Sequence, residues 1–167
     1  MRLGLPWALG YPGYAGSLAD VASVLGQGRS LPARTIVPLA IQHQLLRDDA
    51  ATLLALVNDQ DKPVALILEH ESDPFGTAGV VAGLVHVLHR APVPVLLLRT
   101  DTSALGAISH GAAVGAVGAR SSLRHVFPIK DSSGGPPERL AFVVPKLLTY
   151  VLGDWFLKAY LAHPRLP

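Results

Sequence analysis

Short apolar runs rich in β-branched residues alternate along the chain with stretches whose apolar positions recur at helical spacing. Residues 2–9 (RLGLPWAL) predict a first strand, and the turn-rich YPGYAGS after them ends at Ser17, an N-cap for a helix over 18-LADVASVLGQ-27. The run 35-TIVPLAI-41 predicts a second strand. Asp48 and Asp49 then open a helix over 50-AATLLALVND-59, placing carboxylates where the positive end of a helix dipole favours them. A third strand, 64-VALILEH-70, is continuously apolar, as expected of one buried on both faces of a parallel sheet. The helix over 77-TAGVVAGLVHVLHR-90 carries Gly79 and Gly83 on one side, which suits close packing on a sheet. A fourth strand, 93-VPVLLLR-99, a short helix over 104-ALGAISHG-111 and a fifth strand, 112-AAVGAVG-118, complete the series.

Crossovers of this length predict parallel βα units, about five of them, rather than hairpins. The expected fold class is therefore α/β: an incomplete, half (β/α)8 barrel or an open five-stranded parallel sheet, with a C-terminal helical segment. The parallel core spans 1–127, and a polar Pro/Gly-rich loop, 128-PIKDSSGGPPER-139, separates it from a C-terminal helical segment over 140–167. The helix is predicted over 140–163, with Pro145 starting or kinking it. Helical spacing puts Tyr150, Trp155, Phe156 and Tyr160 near one face, either to pack on the core or to form a homodimer interface.

Composition narrows the classes of function. The chain has 167 residues, half of them hydrophobic and 16% charged, which fits one folded domain and argues against disorder. No apolar run approaches the roughly 20 residues needed to cross a bilayer, and the start lacks the long apolar centre of a secretory signal. No membrane association is expected, and the cytoplasm is the expected location. The absence of cysteine excludes disulfides, thiolate metal sites and cysteine nucleophiles. A formal charge of +2 from scattered basic residues gives nucleic-acid binding no support, although a local basic groove is compatible with it. His86 and His89 share a helix face but have no carboxylate or cysteine partners at ligand spacing; no metal and no cofactor is expected.

Polar residues gather at one end of the predicted strands. The second strand ends in Gln42, His43 and Gln44, the third in Glu69, His70, Glu71 and Asp73, the fourth in Arg99, Thr100, Asp101 and Ser103, the fifth in Arg120, Ser121 and Ser122. Ligands of parallel α/β proteins bind beyond the carboxyl ends of the strands, so a shared polar site accounts for this asymmetry. Ion pairs such as Arg99–Asp101 or Arg120–Glu71, tying loops together, are the plain alternative. Glu69, Asp73 and Asp101 are the candidate catalytic groups, since paired carboxylates can divide acid, base and nucleophile roles. Alternation along a strand puts Glu69 and Glu71 on one face and His70 on the other. Gln42, Arg99, Ser103, Gly118, Arg120, Ser121, Ser122 and Arg124 are the candidate ligand-binding residues; amides over 119–122 suit an anion. His125 suits either proton transfer or a structural role.

The run from Val93 to Arg124 resembles the closing part of a phosphate-binding (β/α)8 barrel. The resemblance lies in 93-VPVLLLRTD-101, 104-ALGAISHG-111 and the glycine-rich 112-AAVGAVGARSS-122. It implies a phosphate at the last turn. RSSLRHVFP at 120–128 is similar, more faintly, to a segment of tRNA-guanine transglycosylase-like barrels, which implies glycosyl or base transfer on a nucleotide-like ligand; the cysteines of that family's zinc site are absent. A complete barrel takes about 250 residues. The expected partners are thus a small anionic or nucleotide-like ligand and, for a half-barrel, a second copy or a partner subunit. The alternative to an enzyme is a non-catalytic scaffold in an oligomer.

Overall fold

A computed structural model of the chain describes residues 6–11, 13–128, 141–144 and 149–162. Ser17 does stop the first turn. Its hydroxyl accepts from the Asp20 N–H at 3.2 Å while its own N–H donates to Asp20 Oδ2 at 3.0 Å, closing a capping box at the start of helix α1 (Leu18–Arg29).

Strands β1 (Ala8–Leu9) and β2 (Gly13–Ala15) both run parallel to β3 (Thr35–Gln42), Leu9 opposite Ile36 and Gly13 opposite Leu39. The edge carries one residue more than β3 between these pairs, the arithmetic of a bulge, so β1 and β2 act as a single interrupted strand. Strands β4 (Val64–Glu69), β5 (Val95–Thr100) and β6 (Val114–Val117) follow in chain order, each parallel to the one before. The result is five parallel strand positions.

Helices α2 (His43–Asp48), α3 (Ala50–Asn58), α4 (Val80–Arg90) and α5 (Ala104–Ser109) lie between the later strands. All five helices cover the same face. Ala15, Val37, Leu39, Ile41, Val64, Leu66, Leu68, Val95 and Leu97 alternate onto one side of the sheet. There they share a core with Val21 and Leu25 of α1, Leu46 of α2, Leu53 and Val57 of α3, Val80, Leu84 and Val87 of α4 and Ala107 of α5. A doubly wound sheet would reverse its strand order and divide its helices between two faces. Sequential order with helices on one face is the topology of a barrel, and the five strands form an open half-barrel. The opposite face holds Ala40, Ala65, Ile67 and Leu96, all buried, and turns polar at the strand ends with Gln42 and Glu69.

Two local differences from the sequence reading matter. His43 and Gln44, expected at the polar end of a strand, instead begin α2, which ends at Asp48, expected to open the next helix; Leu45 and Leu46 are buried in the core, which compensates for the missing side-chain cap. Gly83 packs on a helix rather than on the sheet: a Cβ there would run into the Leu46 carbonyl of α2. At the amino ends of the strands, Lys62 is buried and donates to the Arg29 carbonyl at 3.0 Å.

The segment over 129–167 forms a separate unit. Its helix is confined to α6 (Gly153–Ala162), and the first half of the predicted helix is an antiparallel pair, β7 (Ala141–Val144) with β8 (Thr149–Leu152). Phe142, Val143, Val144, Tyr150 and Val151 are β-formers, which explains the strands. Tyr150 therefore belongs to β8 and not to the helix of Trp155, Phe156 and Tyr160. Pro145 and most of the 128–139 loop lie outside the described residues. Among the described residues no helix is long and apolar enough to cross a membrane.

Candidate functional site

The half-barrel splits at one place. β4 and β5 pair only over Val64–Leu66 and Val95–Leu97, and beyond that the chain returning from β6 enters between them. Val126 takes the place of a strand residue: its N–H donates to the Leu68 carbonyl and its carbonyl accepts from the His70 N–H, both at 2.9 Å. Arg99 makes room on the β5 side. It sits in a left-handed conformation with φ 52°, where the β5–β6 register shifts between Leu97 and Thr100. Its guanidinium donates to the Ser122 and His125 carbonyls at 2.8 and 3.1 Å, clasping the inserted loop.

Gly118 serves the same crossing. Its N–H donates to the Thr100 carbonyl at 2.8 Å, and a Cβ on it would strike the backbone of Leu123 and Arg124. The glycine-rich turn thus brings two stretches of backbone together, and the Gly118 amide is engaged by the protein itself. Arg120 and Ser122 are exposed, Arg120 just before and Ser122 within the 3-10 turn Ser121–Leu123.

Between the splayed ends lies a cavity of about 300 Å³ lined by Asp73, Phe75, Asp101, Arg124, His125 and Phe127, among others. Each aspartate uses one oxygen to fix its own loop: Asp73 Oδ1 accepts from the Phe75 N–H at 2.9 Å, and Asp101 Oδ1 accepts from the Ser103 N–H at 2.8 Å. The Thr100 and Ser103 hydroxyls are hydrogen-bonded to each other at 3.1 Å. His125 packs on Phe127 with ring centroids 4.4 Å apart, and its Nε2 is buried without a hydrogen-bond partner. Burial, followed by the neighbouring His70, lowers the His125 pKa below the ordinary imidazole value, although Asp73 and Asp101 pull the other way.

A second cavity, about 210 Å³, lies at the ends of β3 and β4 and is lined by Gln42, His43, Gln44, Glu69, His70 and Glu71 with Pro128. His70 thus lines the same cavity as Glu69 and Glu71. The expected separation onto opposite faces fails because the strand ends at Glu69, and face alternation ends with it. Gln42 Nε2 donates to the Tyr14 hydroxyl at 3.2 Å. Burial, together with the Glu69 carboxylate, raises the Tyr14 pKa. The His43 and His70 rings meet edge-on, centroids 4.4 Å apart.

The structure therefore brings Asp73, Asp101 and Arg124 to one cavity, puts Gln42 and Glu69 at its neighbour, and places Arg99, Ser103 and Gly118 in the scaffold of the first. Arg120 and Ser122 line neither. Sequence reasoning put His43 at the polar end of the second strand without giving it a role, and passed over Tyr14, Phe75 and Phe127. Tyr14 precedes the first helix, and its role depends on β2 pairing with β3, which local pattern does not encode. His86 and His89 point to different neighbours, His86 Nδ1 lying 3.1 Å from Arg90 and the His89 ring 5.5 Å from that of His110. Among the described residues no group of three or more His, Asp or Glu side chains is arranged to hold a metal ion.

Fold and site define an α/β half-barrel with cavities at the carboxyl ends of its strands, the larger of the two described walled by aromatic rings and bordered by charged side chains, the smaller lined mainly by polar side chains. No protein-family model, no curated protein and no solved structure matches the chain.

Proposed function

We propose that this half-barrel binds a small anionic ligand, phosphorylated or nucleotide-like, in the larger cavity and acts on it by acid–base chemistry. The observation that carries this reading is the meeting of Asp73, Asp101, Arg124 and His125 with Phe75 and Phe127 in one cleft where β4 and β5 part. Two carboxylates can divide proton donation and nucleophilic attack, an arginine complements a phosphate, and aromatic rings supply apolar walls for a base or sugar. Glycosyl or base transfer is the reaction class these groups suit, in keeping with the transglycosylase-like segment over 120–128, and the barrel-like run over 93–124 is in keeping with a phosphate. Glu69 belongs to the adjacent cavity, so Asp73 and Asp101 are the reacting pair on this reading. Thermal-shift measurements with inorganic phosphate, sugar phosphates and nucleotides test it. Stabilisation by a phosphorylated compound that is lost in Arg124→Ala supports the reading, and no stabilisation by any of them refutes it.

A second reading, a non-catalytic subunit of an oligomer, is favoured by the sheet edges. Among the described residues nothing pairs with the outer sides of β1 and β6, and Leu9, Val114 and Val117 are exposed there. Light scattering discriminates: a monomer at high concentration removes this reading.

A further inference from the structure

The smaller cavity has a chemistry of its own. Glu69 and Glu71, the Gln42 and Gln44 amides and two imidazoles line it, and no Lys or Arg is among these lining residues. The two imidazoles are held in opposite tautomers. His43 Nδ1 lies 3.1 Å from the Glu69 carbonyl, which can only accept, so Nδ1 carries the proton and Nε2 keeps its lone pair. His70 Nδ1 instead accepts from the Ser72 N–H at 2.9 Å, and its Nε2 faces the Thr77 hydroxyl at 3.3 Å. His70 is thus spent on its own loop and stands as a wall against His43. Burial lowers the His43 pKa, and the hydrogen bond to the Glu69 carbonyl opposes it in part.

We propose that this cavity binds hydroxyl groups of a neutral, sugar-like ligand, one hydroxyl donating to His43 Nε2 and others hydrogen-bonding with Glu69 and Gln42. A hydroxyl both donates and accepts, which matches a lining of carboxylate and imidazole acceptors interleaved with amide donors. A phosphate meets two carboxylates and, among the described lining residues, no lysine or arginine. An ammonium group only donates and has nothing to offer the amide N–H groups. Tyr14 buttresses the site by accepting from Gln42 Nε2, which orients the amide. The inference rests on the strand ends being a ligand rim, but not on an anion at Arg124.

The test titrates D-ribose and inorganic phosphate separately into the full chain while NMR follows the imidazole signals of its seven histidines. Ribose is expected to shift the His43 signals and phosphate to leave them unmoved, with long-range ¹H–¹⁵N correlations placing the His43 proton on Nδ1. His43→Phe should weaken ribose binding about tenfold, the cost of one ligand hydrogen bond. Tyr14→Phe removes a single hydroxyl from a half-exposed ring and gives a second, smaller loss in a chain that keeps its fold. No response of His43 to ribose, or unchanged affinity in both variants, overturns the proposal. Failure of phosphate binding with the ribose response intact removes the anion reading and leaves this one standing.

Discussion

Gln42 and Glu69 stand directly opposite one another where β3 and β4 end. The pairing is fixed by register, since each lies one residue beyond the core pair Ile41–Leu68 and so turns to the face away from the helices. An amide and a carboxylate are thereby delivered side by side to the mouth of the half-barrel, within reach of Tyr14 on the next strand. A slip of one residue in β3 would bury Gln42 among leucines.

Removal of the Arg99 clasp should loosen the inserted loop. Arg99→Gly relieves the left-handed backbone but deletes two charge-assisted hydrogen bonds, and a net loss of about 1–3 kcal/mol is expected. Hydrogen exchange reads the effect locally: the Val126 and His70 amides should lose protection, while the α1 amides should not. Equal protection in variant and parent would show that the clasp is incidental.

The α2–α4 crossing should tolerate no side chain at Gly83. Gly83→Ala forces a methyl onto the Leu46 carbonyl, and a loss of about 2–4 kcal/mol in urea unfolding is expected. Gly26→Ala is the control. Gly26 lies in the same kind of helix interior with open space around it, so there alanine should stabilise by up to about 1 kcal/mol. Identical effects at both positions would contradict the close approach.

Acid should destabilise the half-barrel from about pH 6.5 downward. Burial lowers the pKa of both His43 and His125 from the ordinary 6.5. The unfolded chain therefore takes up protons that the folded chain refuses, and stability is lost as pH falls through that window; above it both states are neutral and the full stability is present. Urea midpoints measured from pH 8 to 5 should be flat and then decline, and His125→Phe should flatten part of the decline. A midpoint that rises on acidification in this range would exclude buried neutral histidines.

Legibility in the sequence followed the range of the forces involved. β3, β4 and α4 announce themselves because an apolar run or a wide apolar stripe is set by consecutive residues, and Ser17 with Asp20 is a purely local signature. The 43–48 helix was hidden by its polar start and missing cap; burial of Leu45 and Leu46 makes it. The β7–β8 pair was read as helix because Val, Leu and Phe fit both periods over so few residues. At the site, the clustering of polar strand ends was visible, and with it Asp73 and Asp101. The insertion of Val126 beside β4 was not, because nothing near either residue signals a partner so distant in the chain. Nor was the contrast between His43 and His70, which the Glu69 carbonyl sets for one ring and the Ser72 N–H with the Thr77 hydroxyl sets for the other.

The wedge formed by Val126 has a kinetic meaning. Leu68 and His70 can find it only after β5, α5 and β6 have been laid down, so the mouth closes a loop far longer than any strand-to-strand step beneath it. The cavities are then expected to be the last region to assemble in refolding and the first to open in the native state. A molecule held there acts on the weakest seam of the half-barrel, and its binding would register first as slower opening of that seam.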